Sequence, residues 1–557
     1  MLPATPVRGS AAKRKYPQET TPWGNASRTR DPPSSPLPAA AHSSPVRTPL
    51  KPPPPPGEAA TPFSQRRGAG DTLEVLNQHI PKPVLPLPDA PYDSRVKFLF
   101  NTEIRNFAYR PMYQKLSEAS EVHDERIDEF AAAIQEHYDL ADDAFGDPAF
   151  ASPAEVVAVG RIVSDSLEGR LNPSSVLLES SRMTGAGARV PLNLDRLPSF
   201  AFFPGQVVAV RGVNASGSHF QVHQVLDPPK LPSAATPTPE LAATAGRLAA
   251  GPLTVFVAAG PYTTQDNLEF EALDELCTRA ADQRPDVVIL AGPFVDSEHP
   301  LVRAGDFDLH DVDAANDGTV DDLFRERISR RIQRITHSTV ILIPSLRDAV
   351  SRHCSFPQEQ LKRKFLKLPE VRFPPSPPPR PPRFMLNEGQ NVKCLPNPSM
   401  FSLNELVFAV STNDILFHLQ REEITRSPAI SNPPARLSSH LLSQRNFYPL
   451  FPPPPRGALP PGLREVGAGL DVPHCRLADL VNVTPDVLVL PSMLGAFAKV
   501  VEGVVVINPG HASKPRGAGT WVEMAVKAKE LSAKQVDEGT EIDHGAWERA
   551  RVEVRKI

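Results

Sequence analysis

Six almost uninterrupted apolar runs constrain this chain most: "LTVFVAAG" (253–260), "DVVILAG" (286–292), "STVILIPS" (338–345), "ELVFAVSTN" (405–413), "DVLVLPS" (486–492) and "GVVVINPG" (503–510). A strand with one face in water alternates apolar and polar residues. A strand that is apolar throughout must be covered on both faces, which calls for a layered α/β domain. Between the first two runs, Asp266 with Glu269 three residues later predicts a capped helix start. Phe270, Leu273, Leu276 and Cys277 would follow on its inner face. Val320, Phe324, Ile328, Ile332 and Ile335 predict a second inward helical stripe. The layered domain is placed at 250–557, interrupted by proline-heavy surface loops at 369–383 and 449–461.

Five shorter strand patterns stand between Glu155 and Asp227: "EVVAVGRIVSDS", "SSVLLESS", "ARVPLNLDRL", "GQVVAVRGVNA" and "HFQVHQVLD". Turn signals separate them, and five strands in so short a span predict an OB-type barrel at 150–232. Phe202, Phe203 and Phe220 read as core rather than as a stacking surface for bases. Ahead of the barrel, 95–150 is a helical lead-in, with Ile127, Phe130, Ile134 and Tyr138 on one face.

Of the 65 prolines, 16 fall in residues 1–70, beside ten Lys/Arg and three Asp/Glu. So few aliphatics cannot offset chain entropy, so residues 1–90 are expected to be a disordered basic tail or linker. Lys13, Arg14 and Lys15 form a candidate nuclear-import cluster, against a solvated-tail reading. Thr5, Ser44 and Thr48 each precede a proline with a basic residue two further on, the pattern of proline-directed phosphorylation. The four cysteines are far apart without a C-x-x-C pair, which argues against a zinc site or disulfide framework. With no long apolar run and no signal core, a soluble intracellular protein is expected. A net charge of −4 gives no global attraction to a polyanion.

Ligands in layered α/β folds bind at strand tips, and the order of the tips here resembles the calcineurin-like metallophosphoesterases. Such sites need carboxylates and imidazoles converging on two cations. This chain offers Ala258 and Gly260 at the first tip, then Pro293 with Asp296 at the second. Leu346, Arg347 and Asp348 stand at the third, and a lone His511 at the last. Asp296, Asp348, His418 and His511 survive as scattered donors, while Arg347 would repel a divalent cation. The expectation is a degenerate site with no catalytic residues, no metal and no cofactor.

The stretches "YRPMYQKLSEASEVHDERIDEF" (109–130), "VGRIVSDSLEGRLNPSSVLLESS" (159–181), "FFPGQVVAVRGVNASG" (202–217) and "DVLVLPSMLGAFAKVVEGVVVINPGHASKPRGAGTW" (486–521) resemble the B-subunit family of DNA polymerase alpha–primase. That resemblance implies an OB barrel packed on an inactive phosphodiesterase-like domain (α/β, α+β overall). It also implies a nuclear, non-catalytic scaffold that grips the zinc-bearing C-terminal domain of the catalytic subunit. Through the complex it would work with both primase subunits, touching DNA mainly indirectly and no membrane. The chain starts within what resembles the family's linker after a small helical domain. Two other readings are an active metal-dependent phosphoesterase relying on His511, and a single-strand DNA binder acting through the barrel.

Overall fold

The computed structural model describes residues 61–83, 95–111, 113–166, 170–307, 309, 318–366, 368, 391–454, 469–532, 535 and 539–557. The candidate phosphorylation sites, the basic cluster at 13–15 and the 369–383 stretch lie outside these residues.

With strands numbered in chain order, the long apolar runs pair as two facing sheets. In the first, β10 (Leu253–Ala259), β11 (Val287–Ala291), β12 (Thr339–Ile343) and β13 (Asn391–Cys394) run parallel. Antiparallel strands β20 (Thr520–Val526), β22 (Ala550–Lys556) and β1 (Thr72–Leu76) continue it past β10. The second sheet has the order β18 (Phe497–Val501), β19 (Val504–Asn508), β17 (Val487–Val489), β15 (Leu406–Val410), β14 (Ser399–Leu403), β2 (Phe98–Phe100). Because side chains alternate along a strand, Val255, Val257, Ile289 and Ile341 enter the core between the sheets. Their neighbours Phe256, Val288, Leu290 and Leu342 point the other way, onto the helix Glu271–Gln283 through Leu273, Leu276 and Cys277. Helices Ile415–Glu422 and Pro433–Ser443 cover the second sheet's outer face. Double coverage is thus the reason the runs carry no polar alternation, and each fully buried aliphatic contributes roughly 2 kcal/mol.

β3 (Ser152–Ser164), β4 (Val176–Glu179), β5 (Arg189–Asn193), β8 (Phe220–Leu226) and β7 (Val207–Asn214) close into a barrel in that order. Ile162, Leu178, Val190, Val210 and Phe220 fill it. The helix Leu116–Tyr138 lays Ile127, Phe130 and Ile134 on Val157, Val159 and Val207 outside the barrel. Asp139, left-handed at φ 50°, ends that helix.

Several expectations need correction. Residues 61–83 are not tail throughout, since β1 pairs with β22. The lead-in is helical only over Leu116–Tyr138; Phe98–Phe100 is a strand of the second sheet. The sandwich therefore takes strands from both sides of the barrel in sequence, beyond the 250–557 span. Tyr138 is exposed, its hydroxyl bonded to the Asp227 carbonyl. Asp266 caps nothing: the helix starts at Glu271 behind a left-handed Phe270. Asn267 organises the turn instead, accepting from the Glu269 N–H and the Thr263 hydroxyl.

Barrel and sandwich are fastened side by side. β6 (Phe200–Phe202) pairs with β16 (Ile424–Arg426), and the next residue, Phe203, enters the sandwich's outer core. Gln444 donates to the Val207 carbonyl at 2.9 Å and accepts from the Val207 N–H at 2.8 Å. Pro449 and Leu450 are buried, and the Phe451 N–H donates to the Pro204 carbonyl. The described part of the 449–461 stretch is therefore a joint, not a surface loop. Gly205 makes this approach possible: it has φ 94°, and a Cβ there would lie 2.4 Å from the Phe451 nitrogen. β9 (Ala235–Pro237) and β21 (Glu541–Asp543) form a further small pair.

Candidate functional site

The strand tips expected to carry chemistry do converge, and they are closed by their own loops. At the first tip, Ala258 is buried and Gly260 donates its N–H to the Ala291 carbonyl. Tyr262, two residues beyond Gly260, folds back beneath them. Its hydroxyl donates to the Ala291 carbonyl at 2.9 Å and lies 3.2 Å from that of Ala258. Its ring stacks on Phe294. Burial, and then the Asp348 charge, raise the phenol's pKa well above its usual value, so it serves as a donor.

At the second and third tips, Asp348 is the organising residue. One carboxylate oxygen accepts from the Phe294 and Val295 N–H groups, and the other accepts from the Ser345 N–H at 2.8 Å. Gly292 lets the carboxylate in, since a Cβ there would sit 2.3 Å from an Asp348 oxygen. Burial pushes the Asp348 carboxyl up to about 7 against the pull of those three N–H groups. Arg347 donates from Nε and Nη2, one edge of its guanidinium, to the two carboxylate oxygens of Asp296, and each side chain is 11 % exposed. Leu346 is partly buried against the sandwich's outer core, and buried Pro293 supplies no ligand atom. His511 is pushed down to about 3 by burial and then by Arg347 and Lys514, so its imidazole is neutral. His299 caps the turn Pro300–Ala304, and His418 bonds the Tyr448 hydroxyl at 2.9 Å.

This donor set does not fit a two-cation centre. The first tip supplies no side-chain ligand, Asp296 is held by Arg347, and Asp348 is saturated by backbone. Among the described residues, no three His, Cys, Asp or Glu are placed to hold a metal ion. Nor do Phe202, Phe203 and Phe220 offer a surface for bases, being 0–2 % exposed.

Sequence reasoning missed several polar residues that hold the end together. Tyr262 could have been noticed as the aromatic standing just past the first tip. Asp286 grips Arg95 through two bonds and the Thr254 N–H, joining the lead-in to β10. Thr236, His544 and Asp486 form a hydroxyl–imidazole–carboxylate chain at 2.8 and 2.7 Å. His544 is 1 % exposed and Asp486 also accepts from the Val407 N–H, so the chain fastens β9 and β21 to the second sheet.

The family model for the B subunit of DNA polymerase alpha/epsilon matches residues 255–499, and that for the OB domain of the DNA polymerase alpha B subunit matches 120–228. The DNA polymerase alpha B subunit of Schizosaccharomyces pombe is 40 % identical over 493 residues, 88 % of this chain and 79 % of the relative. The Saccharomyces cerevisiae protein of that name is 34 % identical over 87 % of this chain and 71 % of its own. A solved archaeal phosphodiesterase overlaps 52 % of this chain and 97 % of its own at 11 % identity, with a TM-score of 0.22. No described helix is long and apolar enough to cross a membrane.

Proposed function

The chain belongs to the B-subunit family of DNA polymerase alpha, and from that premise we propose that it is a non-catalytic scaffold of the polymerase alpha–primase complex. It grips the zinc-bearing C-terminal domain of the catalytic subunit, acts with the two primase subunits in primer synthesis, and resides in the nucleus. The residues ahead of β1 serve its regulation, with nuclear import through Lys13, Arg14 and Lys15 and phosphorylation at Thr5, Ser44 and Thr48. The barrel and the phosphodiesterase-like unit together present the docking surface.

One observation supports the absence of catalysis: the Asp296 carboxylate at the second strand tip is held by Arg347 and so is not free to bind a cation. Ala258, Gly260, Pro293, Asp296, Leu346, Arg347, Asp348 and His511 are accordingly vestiges whose work is structural. A guanidinium beside the site opposes a divalent cation, and removing only the pair's carboxylate would leave a buried charge.

The test is co-expression of the full chain with the catalytic subunit. A stable complex through that subunit's C-terminal domain is expected, together with no manganese-dependent turnover of bis(p-nitrophenyl) phosphate. A chain that stays alone beside its partner, or one whose turnover disappears in His511→Ala, would overturn the proposal.

A further inference from the structure

Three adjoining cavities of about 220, 240 and 240 Å³ run along the outer edge of the barrel. The first lies between the helix Leu116–Tyr138 and the turn after β4, lined by Asp124 and Arg182. The second is walled by Phe145, Val157 and Val159, and the third by Phe150, Val156 and Phe220. The first two share Ser180, and the last two share Gly146 and Asp147. Ser180 is 2 % exposed and its hydroxyl has no hydrogen-bond partner.

Two large apolar side chains beside this groove face water: Phe150 is 71 % and Met183 77 % exposed. Isolated apolar residues are ordinary on a surface, but a pair beside apolar-walled cavities marks a contact site. The adjoining loop is acidic. Asp139, Asp142, Asp143 and Asp147 are exposed, and none has a cationic partner among the described residues. Two neighbouring cavities with apolar walls, the second and third, beside uncompensated carboxylates suit an extended chain, whose alternate side chains point the same way.

We propose that this groove docks an extended basic segment of a partner protein. Two of its bulky apolar side chains enter the second and third cavities, and its lysines or arginines meet Asp142, Asp143 and Asp147. Contacts of this kind raise the on-rate and weaken with salt.

Fluorescence anisotropy on the full chain tests it with fluorescein-labelled Lys-Arg-Leu-Ser-Phe-Lys-Arg and versions carrying Leu and Phe three or four residues apart. Each probe is paired with an alanine-for-Leu/Phe control and a glutamate-for-Lys/Arg control. At least one basic probe is expected to bind saturably, about tenfold or more tighter than its controls. Its affinity falls about tenfold in Phe150→Ser with Met183→Ser, and at low salt in Asp143→Asn with Asp147→Asn. These positions are exposed, so both variants keep the wild-type melting temperature. The proposal is overturned by no probe bettering its controls, by unchanged binding to both variants, or by a self-association that the serine variant dissolves. Capture of the catalytic subunit, measured on the same variants, stays at the wild-type level. Its loss with peptide binding intact would assign the groove to that subunit and would equally overturn the proposal.

Discussion

The closed strand tips and the seam between barrel and sandwich both bury polar groups, with opposite consequences. At the tips, side chains satisfy the backbone of their own or neighbouring loops: Asp348 takes three N–H groups, Tyr262 gives to Ala291, and Arg347 neutralises Asp296. Among the described tip residues the neutral His511 imidazole is left, and one such group does not make a two-cation centre. At the seam, the side chain of one unit satisfies the backbone of the other, as Gln444 does for Val207. The difference teaches that the same kinds of bond serve two ends: at the tips they hold neighbouring loops shut, while at the joint alongside they hold the two units in one arrangement.

The contrast can be broken most forcefully at the seam. Phe203→Ala removes a fully buried ring from the sandwich's outer core and should cost about 4 kcal/mol, read from the shift of a denaturation midpoint. A loss below about 1 kcal/mol would mean the barrel sits on the sandwich without being anchored there. Next comes Asp348→Ala, which strands three backbone N–H groups and should cost about 3 kcal/mol without creating any metal affinity. Manganese binding by calorimetry in that variant would break the picture of a closed tip.

Gln444→Ala leaves both Val207 backbone groups unpaired, and about 2 kcal/mol is expected. If the loss is instead confined to faster proteolysis between the units, the bonds set orientation more than stability. Smallest is Tyr262→Phe, about 1 kcal/mol for one buried hydroxyl.

The tips also carry a pH signature that the seam's neutral amide lacks. Asp348 sits at about 7 when folded, above the roughly 3.9 of an unfolded aspartate. The native state therefore holds that proton more tightly, and the resulting stability is present in full below about pH 4 and lost as pH rises through 7. His511 acts at the other side: folded near 3, it loses stability as pH falls below about 6.5. Asp348→Asn should abolish the first slope between pH 4 and 7 and leave the second, in a series of denaturation curves. The two slopes oppose each other between about pH 4 and 6.5, so wild type and Asp348→Asn must differ in that interval, and an identical pH dependence of the two would mean the carboxyl stays ionised on its three N–H groups.

Much of the architecture was legible in the chain itself. The six apolar runs and five barrel strands follow from the periodicity of burial, which is written residue by residue wherever one face or both are covered. The inward stripe of Ile127, Phe130 and Ile134 is equally local. That Ala258, Pro293 and Leu346 bring no side-chain donor to the tips could be read, because a side chain without a donor atom cannot coordinate anything in any fold. Where each tip carboxylate points was not legible. Asp348 and Asp296 look alike in sequence, yet one bonds backbone and the other a guanidinium.

Tertiary contact decided the rest. Thr72–Leu76 is a short strand whose partner, β22, lies nearly the whole chain away, so nothing nearby distinguishes it from the tail it follows. Phe98–Phe100 likewise joins β14 across about three hundred residues. Phe202 and Phe203 are neighbours in one aromatic pair, but the first fills the barrel and the second the sandwich. Local pattern records that a residue will be buried. Which unit buries it, and whether a polar group meets a ligand or its own loop, depends on surfaces that exist only once distant segments have packed.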